Sequence, residues 1–109
     1  MERTENQRVA ETEALFREVN ERIAESAAKF QSDELDIVCE CADADCVERL
    51  PTTVDEYEGV RANGARFFVA PGHEEKSFEQ VVRSRGRYRV VQKVKPRVAS
   101  LVRRLDPRG

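Results

Sequence analysis

Three cysteines within eight residues, together with one distant histidine, constrain this chain more than any other feature. Cys39, Cys41 and Cys46 fall in the run CECADADC, and His73, the only histidine, follows in the string APGHEE. Three thiols and one imidazole make the Cys₃His ligand set of a closed structural zinc site. The sequence therefore predicts one structural Zn²⁺ ion held by these four residues.

The spacing of the cysteines indicates how their sulfur atoms can meet. Side chains two apart in an extended segment point the same way, so Cys39 and Cys41 can lean towards one point. In that arrangement Glu40, between them, is expected to turn outward. The acidic loop 42–47 can then bring Cys46 back to the same point.

The fourth ligand must come from a separate segment. We expect strand 35–39 to lie beside strand 66–70, so that a turn at Pro71 and Gly72 delivers His73 to the cysteines. All four soft ligands would then be used, and no coordination position would be open to substrate or activated water. Two other interpretations stay open from the residues alone, namely buried or redox-active thiols and a catalytic Cys/His pair.

The composition suggests why such a chain would need a metal ion. It has 109 residues, of which 39% are hydrophobic and 37% charged, with no Trp and one Met. We expect one domain with a thin core, and a bound metal is one of the few devices that stabilise a small core. The odd number of cysteines argues against a complete disulfide framework.

Two further features predict where the protein works. No apolar run approaches the roughly 20 residues of a membrane-spanning helix, so no membrane association is expected. The N-terminal string MERTENQRVAETE is polar and acidic, which is not typical of a secretory signal. We therefore expect a cytoplasmic protein, because thiols in that compartment stay reduced and available to metal.

Residues 4–30 are predicted to form one long amphipathic helix. Its apolar stripe has near-heptad spacing and contains no Gly or Pro. The stripe has Val9, Phe16, Ile23 and Phe30 at seven-residue spacing, Thr12, Val19 and Ser26 at the intervening positions, and Leu15 and Ala27 beside them. It can pack on the protein's own sheet, form a homodimer, or bind a partner protein.

The rest of the chain predicts a small α+β domain with a three-stranded sheet and short helices. Strands are expected at 35–39, 66–70 and 87–95, and helices at 53–62, 74–84 and within 98–105. The helix at 53–62 begins with the capping-box spacing of Thr53 and Glu56. Three regions follow: an N-terminal helix (1–30), a zinc-stapled domain (31–95) and a basic tail (96–109), whose last residues, 106–109, are expected to be frayed.

Charge is distributed unevenly along the chain. From Lys76 onward there are eleven basic residues and two acidic ones, although the whole chain carries a net charge of −2. A basic region of this kind favours contact with the phosphates of a nucleic acid. The residues predicted to make such contacts are Arg87, Arg89, Lys93, Lys95, Arg97, Arg103 and Arg104.

Four segments together resemble a family of small uncharacterised proteins of high-GC Gram-positive bacteria. They are CECADADC, EYEGVR (56–61), RFFVAPGHE (66–74) and RYRVVQK (87–93). The likeness covers residues 13–93, and its most specific parts are the cysteine run and the string F-x-V-x-P-G-H-E. The resemblance implies that the cysteines and His73 form one unit, and it implies no activity.

No string typical of an enzyme accompanies the cysteine cluster. The chain contains no Gly-rich phosphate loop and no H-E-x-x-H or G-x-S-x-G motif. We therefore predict a non-enzymatic, zinc-stabilised regulatory or adaptor protein that acts by protein–protein binding. The alternatives are a nucleic-acid-binding module that uses the basic C-terminal third, and a thiol/zinc redox sensor whose oxidation ejects the metal.

Overall fold

Three helices and five strands make up residues 4–108, the part of the chain that this computed structural model describes. The helices are α1 (Glu5–Lys29), α2 (Val54–Arg61) and α3 (Pro96–Arg104), and the strands are β1 (Glu34–Val38), β2 (Arg49–Thr53), β3 (Arg66–Val69), β4 (Glu79–Ser84) and β5 (Arg89–Lys93). The α+β class and the long N-terminal helix are confirmed. None of these three helices combines the length and the apolar character that crossing a membrane requires. Residues 1–3 and Gly109, at the ends of the predicted regions 1–30 and 96–109, lie outside the described part, and the division into three regions stays a prediction.

The strands form two antiparallel sheets. A three-stranded sheet is present, as predicted, but β5 lies in it between β3 and β4. The expected member 35–39 instead forms β1, which pairs with β2 in a separate hairpin. The sequence prediction lacks β2 because that strand contains Pro51, and proline cannot donate to a ladder. Here Pro51 lies exposed opposite Asp36 in a two-stranded sheet, where each strand has an edge that tolerates a missing N–H.

The helix predicted over residues 74–84 is wrong. A tight turn, in which Glu79 N donates to Glu75 O (3.1 Å), leads directly into β4. This strand pairs along β5 with a bulge between Val81 and Arg83. The edge of β5 and the two adjacent β-branched valines of β4 favour a strand, so the tertiary partner overrides the local helical spacing.

The first two helices begin at capping residues. Thr4 Oγ1 accepts a hydrogen bond from Gln7 N (3.1 Å), and the Gln7 side chain accepts one from Thr4 N (2.9 Å). Thr53 caps α2 as predicted, because its hydroxyl accepts from Glu56 N (3.2 Å). At the end of α1, Gln31 adopts a φ of 56° and turns the chain towards β1.

An aromatic cluster occupies the centre of the core. Tyr57 of α2 stacks on Phe68 of β3, with 5.7 Å between ring centroids, and Tyr88 meets the same ring edge-on at 5.2 Å. Val98 and Val102 of α3 belong to the same buried cluster, which confirms the helical spacing predicted within 98–105. This packing holds β3, the strand that leads to His73, in a fixed position.

α1 buries three polar side chains together with two apolar ones and leaves part of its predicted apolar stripe exposed. Its buried residues are Val9, Ala10, Glu13, Arg17 and Asn20. Ile23 packs against the core from the side, but Leu15, Val19 and Phe30 are 61%, 40% and 80% exposed. An amphipathic helix ordinarily buries its apolar side, so this helix presents an unusual outer surface.

A buried arginine fixes the middle of α1 to the loop before β3. The Arg17 guanidinium donates to the carbonyl oxygens of Gly64 (2.9 Å) and Arg66 (2.6 Å). It also lies 3.6 Å from the centre of the Phe67 ring, within the range of a cation–π contact. Directional contacts of this kind set the rotation of α1 about its axis.

The C-terminal residues are packed, so the expectation that they fray is wrong for the described part. Asp106 accepts a hydrogen bond of 2.6 Å from Arg61 in α2. Arg108 forms ion pairs with Glu21 of α1 and Glu58 of α2. The end of the chain therefore ties the first two helices together.

Candidate metal centre

The structure brings the three cysteines and His73 together. Cys39 and Cys41 follow β1, Cys46 lies near the end of the loop between β1 and β2, and His73 follows β3. Their ligand atoms all lie within 4.8 Å of one another. Cys39 and Cys41 are buried, Cys46 is half-buried and His73 is partly exposed. This group of four could hold a metal ion.

Two distances within the group match the edges of a small coordination tetrahedron. His73 Nδ1 lies 3.7 Å from Cys39 Sγ and 3.5 Å from Cys46 Sγ. A tetrahedral Zn²⁺ ion, with sulfur at about 2.3 Å and nitrogen at about 2.0 Å, separates such atoms by about 3.5 Å. Because Cys41 Sγ lies within 4.8 Å of the other three ligand atoms, one ion could be shared by all four residues.

Two hydrogen bonds shape the loop that returns Cys46. Cys46 N donates to Asp43 O (3.1 Å), and Asp45 N donates to Asp43 Oδ1 (2.9 Å). An aspartate that accepts from the N–H two residues ahead forms an Asx turn, which is stable locally. The acidic residue Asp43 thus shapes the turn that returns Cys46.

A glycine turn delivers His73, as predicted. Gly72 has a φ of 86°, a conformation that residues with a Cβ rarely adopt, and His73 N donates to Ala70 O (2.9 Å). The expected pairing of strand 35–39 with strand 66–70 takes a different form. β1 and β3 belong to different sheets, and the contact occurs just past β1, where Glu40 N donates to Phe68 O (2.7 Å).

Hydrogen bonding and burial within the cluster give its three thiols different pKa values. Hydrogen bonding with Cys39 lowers the pKa of the Cys41 thiol to about 5, and His73 contributes in the same direction. The same interaction and burial raise the pKa of Cys39, and burial raises the pKa of Cys46. Cys39 Sγ also accepts a hydrogen bond from Ala70 N (3.1 Å). One thiolate among the cysteines is therefore available as the first ligand for a cation.

The outward position expected for Glu40 is wrong. Its side chain points away from the sulfur atoms, as the alternation requires, but that direction leads into the interior and the residue is 0% exposed. The carboxylate accepts hydrogen bonds from Phe68 N (2.9 Å) and from Asn20 Nδ2 (2.8 Å). Burial raises the pKa of this carboxyl group. A buried acid between two candidate ligands is therefore part of the site.

Asn20 is the second residue of the site that the sequence prediction lacks. Besides its bond to Glu40, its amide group donates to Val38 O (2.9 Å) and accepts from Val38 N (2.7 Å). An asparagine in the middle of a helix is usually interpreted as a surface residue, because its helix propensity is modest. The hydrogen-bond partners that bury Asn20 are also remote in sequence. The one local sign is that Asn20 lies four residues after Phe16 and three before Ile23, at the border of the predicted apolar stripe.

The seven basic residues predicted to contact nucleic acid occupy different environments. Five of them are exposed, namely Arg87, Lys95, Arg97, Arg103 and Arg104. Arg89 folds over the β4–β5 turn and donates to the carbonyl oxygens of Arg85 and Tyr88. Lys93 is buried and is therefore no part of an exposed surface. A nucleic-acid interface stays a prediction, without Lys93.

Lys93 instead belongs to a buried ionic group between α1 and the three-stranded sheet. Its Nζ forms an ion pair with Glu79 and lies 2.5 Å from Glu13 Oε1, and all three side chains are at most 1% exposed. Neither Glu13 oxygen has the geometry of a hydrogen bond. Burial, only partly offset by Lys93, raises the pKa of Glu13 to about 8. This group fixes α1 to β5 on the side away from the cysteines.

Comparison with known proteins adds no family. No family model, no curated protein and no solved structure matches this chain.

Proposed function

We propose that this protein is a non-enzymatic regulatory or adaptor protein, stabilised by one structural Zn²⁺ ion, that binds another protein through α1. The observation that carries the proposal is the orientation of α1, which buries Glu13, Arg17 and Asn20 and leaves large apolar side chains in solvent. Leu15, Val19 and Phe30 lie exposed among charged residues on the outer side and form the apolar outer face of the helix. Exposed apolar residues grouped along one helix are typical of a surface that another protein covers.

The donor set supports zinc as the metal. Three thiols and one imidazole suit Zn²⁺, whereas Mg²⁺ and Ca²⁺ prefer oxygen ligands. Four protein ligands complete a tetrahedron and leave no position for a substrate, which supports a structural task and a protein without enzymatic activity. A cytoplasmic location follows from the same chemistry, because the thiols must stay reduced to bind the ion.

A matched pair of surface substitutions tests the binding proposal. Leu15→Glu adds a charge to the apolar outer face, and Ala28→Glu adds the same charge to an exposed position on another side of α1. Sedimentation velocity of the purified chains measures self-association, and quantitative co-purification from cell extract measures a different partner. Both variants should keep the wild-type circular dichroism spectrum and zinc content.

We expect Leu15→Glu to weaken the complex at least about tenfold, because the charge would be desolvated in the interface. Ala28→Glu should bind as the wild type does. A wild-type chain that forms no complex in either assay, or a Leu15→Glu chain that binds as tightly as the wild type, would contradict the proposal.

A further inference from the structure

We propose that metal binding at the Cys₃His centre controls the attachment of the C-terminal part of α1, through the buried pair of Asn20 and Glu40. The inference rests on the proposed function for its consequence, since α1 is the proposed binding surface. It goes beyond that function because it makes binding depend on metal occupancy.

Glu40 is tied to the metal centre from both sides along the chain. Its two neighbours, Cys39 and Cys41, are both candidate ligands, so an ion that holds their sulfur atoms also fixes the backbone of Glu40. The position is further defined by the hydrogen bond from Glu40 N to Phe68 O (2.7 Å). The direction of the Glu40 carboxylate is therefore set by the geometry of the ligand loop.

Asn20 connects that loop to α1. Its amide group makes three hydrogen bonds of 2.7 to 2.9 Å, two to the backbone of Val38 and one to Glu40. Asn20 and Glu40 are both 0% exposed, so neither can exchange its partner for water without opening the structure. Buried polar groups that lose their partners are costly, which makes this contact sensitive to small displacements of the loop.

The earlier turns of α1 are held by contacts that do not involve the metal centre. Glu13 faces Lys93 of β5, and Arg17 binds the carbonyl groups of Gly64 and Arg66. Just beyond Asn20, Glu21 accepts from the hydroxyl of Tyr57 (2.7 Å). After Glu21 the described contacts with the hydrophobic core come from Ile23, Ala24 and Ala27, and two of these are small side chains. Loss of the metal should therefore loosen residues 22–29 and leave residues 5–17 in place.

This selective loosening would act on the proposed binding surface. Residues 22–29 lead to Phe30, which forms one end of the apolar outer face. In the zinc-bound protein this end is connected to Leu15 and Val19 by one continuous helix. In the metal-free protein the two ends no longer form one surface, so a partner that needs both should bind the zinc-bound form more tightly.

Hydrogen exchange of the full chain, read by mass spectrometry with zinc and with an added chelator under reducing conditions, tests the coupling. In the wild type we expect exchange over residues 22–29 to accelerate at least about tenfold without zinc. Residues 5–17 and β5 should accelerate at least about threefold less than residues 22–29, because their exchange follows only the lower stability of the whole metal-free fold. Equal acceleration over α1, β5 and α3 would overturn the inference. An exchange rate of residues 22–29 that is the same with and without zinc would also overturn it.

Two variants distinguish loss of the Asn20 contact from a general loss of stability. Asn20→Ala cuts the connection without touching a ligand, and Ser26→Ala is a control at an exposed position of the same helix. In Asn20→Ala, residues 22–29 should exchange rapidly with or without zinc. Because coupling is reciprocal, its zinc dissociation constant should also rise about tenfold, within the range found for residues that orient metal ligands. Unchanged zinc affinity in Asn20→Ala, or the same loss in Ser26→Ala, would refute the coupling.

These measurements need no partner, so the two proposals can fail separately. Metal-dependent exchange together with a harmless Leu15→Glu substitution would reject α1 as the binding surface and keep the coupling. A damaging Leu15→Glu substitution together with metal-independent exchange would keep the binding surface and reject the coupling.

Discussion

His73 Nδ1 lies 3.5 Å from Cys46 Sγ, although 27 positions separate the two residues in the chain. Cys46 reaches this point on an Asx turn and His73 on a glycine turn, so each is delivered by local structure. The meeting itself depends on how β3 packs beside the segment that follows β1. A metal ion bound here would connect these two parts of the fold.

Removal of the imidazole should weaken zinc binding strongly. His73→Ala leaves three thiols and an open coordination position. We expect the zinc dissociation constant to rise at least about 100-fold. Loss of a residue that only orients a ligand costs up to about 100-fold, and loss of a ligand itself should cost at least as much. Competition with a chromophoric chelator measures the constant, and native mass spectrometry measures the stoichiometry. Glu74→Gln, next in the chain, is the control and should bind one zinc ion as the wild type does.

Chelation should lower the stability of the whole fold. The ligands come from the β1–β2 loop and from the end of β3, and the core is small, so metal binding contributes directly to folding. We expect the midpoint of thermal unfolding, followed by circular dichroism under reducing conditions, to fall by about 10 °C or more in excess chelator. Added zinc should restore it. An unchanged midpoint would show that the fold does not need the ion.

Stability should decrease as pH rises from weakly acidic to weakly basic values, because of Glu13. Burial raises the pKa of this carboxyl group from 4.5 to about 8. Between these values the folded chain keeps a proton that the unfolded chain has released. The free energy of unfolding therefore falls with rising pH in this window and levels off above about pH 8.

Glu13→Gln removes this titration and identifies its source. Urea unfolding of the zinc-saturated chains at about pH 6 and about pH 8.5 should show that the wild type loses about 2 kcal/mol more than Glu13→Gln over the interval. Comparison of the two chains cancels the pH dependence of zinc binding, which both share. Glu18→Gln at an exposed position should follow the wild type. Parallel profiles for the wild type and Glu13→Gln would contradict the assignment.

Loss of the Asp106 charge should destabilise the fold by about 3 kcal/mol, since it removes the counter-charge of the buried Arg17 and one of the two counter-charges of the buried Arg61, the other being Glu21. Asp106 Oδ1 is 2.6 Å from Arg61 and Oδ2 is 3.6 Å from Arg17, and both arginine side chains are at most 1% exposed. Denaturant unfolding of Asp106→Asn measures the loss. Asp36→Asn, which breaks an exposed ion pair with Arg49, should cost less than about 1 kcal/mol. Equal effects of the two substitutions would show that burial of the Asp106 pair does not matter.

The grouping of the metal-centre residues could be predicted because thiols and imidazole are scarce and chemically distinct. Their number, the spacing of Cys39 and Cys41, and the glycine turn before His73 were sufficient to name all four members of the cluster. Glu40 and Asn20 could not be predicted in the same way. A glutamate and an asparagine are common on surfaces, and only the partners supplied by Phe68 and Val38 make them buried parts of the site.

The helices and strands likewise divide into those that local sequence predicts and those that a remote partner decides. α1 and α2 were predictable because capping residues and uninterrupted spacing act within a few residues of one another. The segment that forms β4 has the spacing of a helix, and it becomes a strand because β5 offers a free edge. β2 tolerates Pro51 for a similar reason, since its place in a two-stranded hairpin cannot be read from the residues around it.

The sequence by itself determined the local structure of this protein: the helix caps, the turns and the identity of four soft metal donors. These features depend on short-range sterics, hydrogen bonds and ligand chemistry, which residue types and spacing express directly. Only the tertiary structure decided which face of α1 is buried, where Glu40 points and that Lys93 lies inside. Those outcomes depend on partners far away in the chain, and for α1 the buried carbonyl and charged groups of those partners outweighed its apolar stripe.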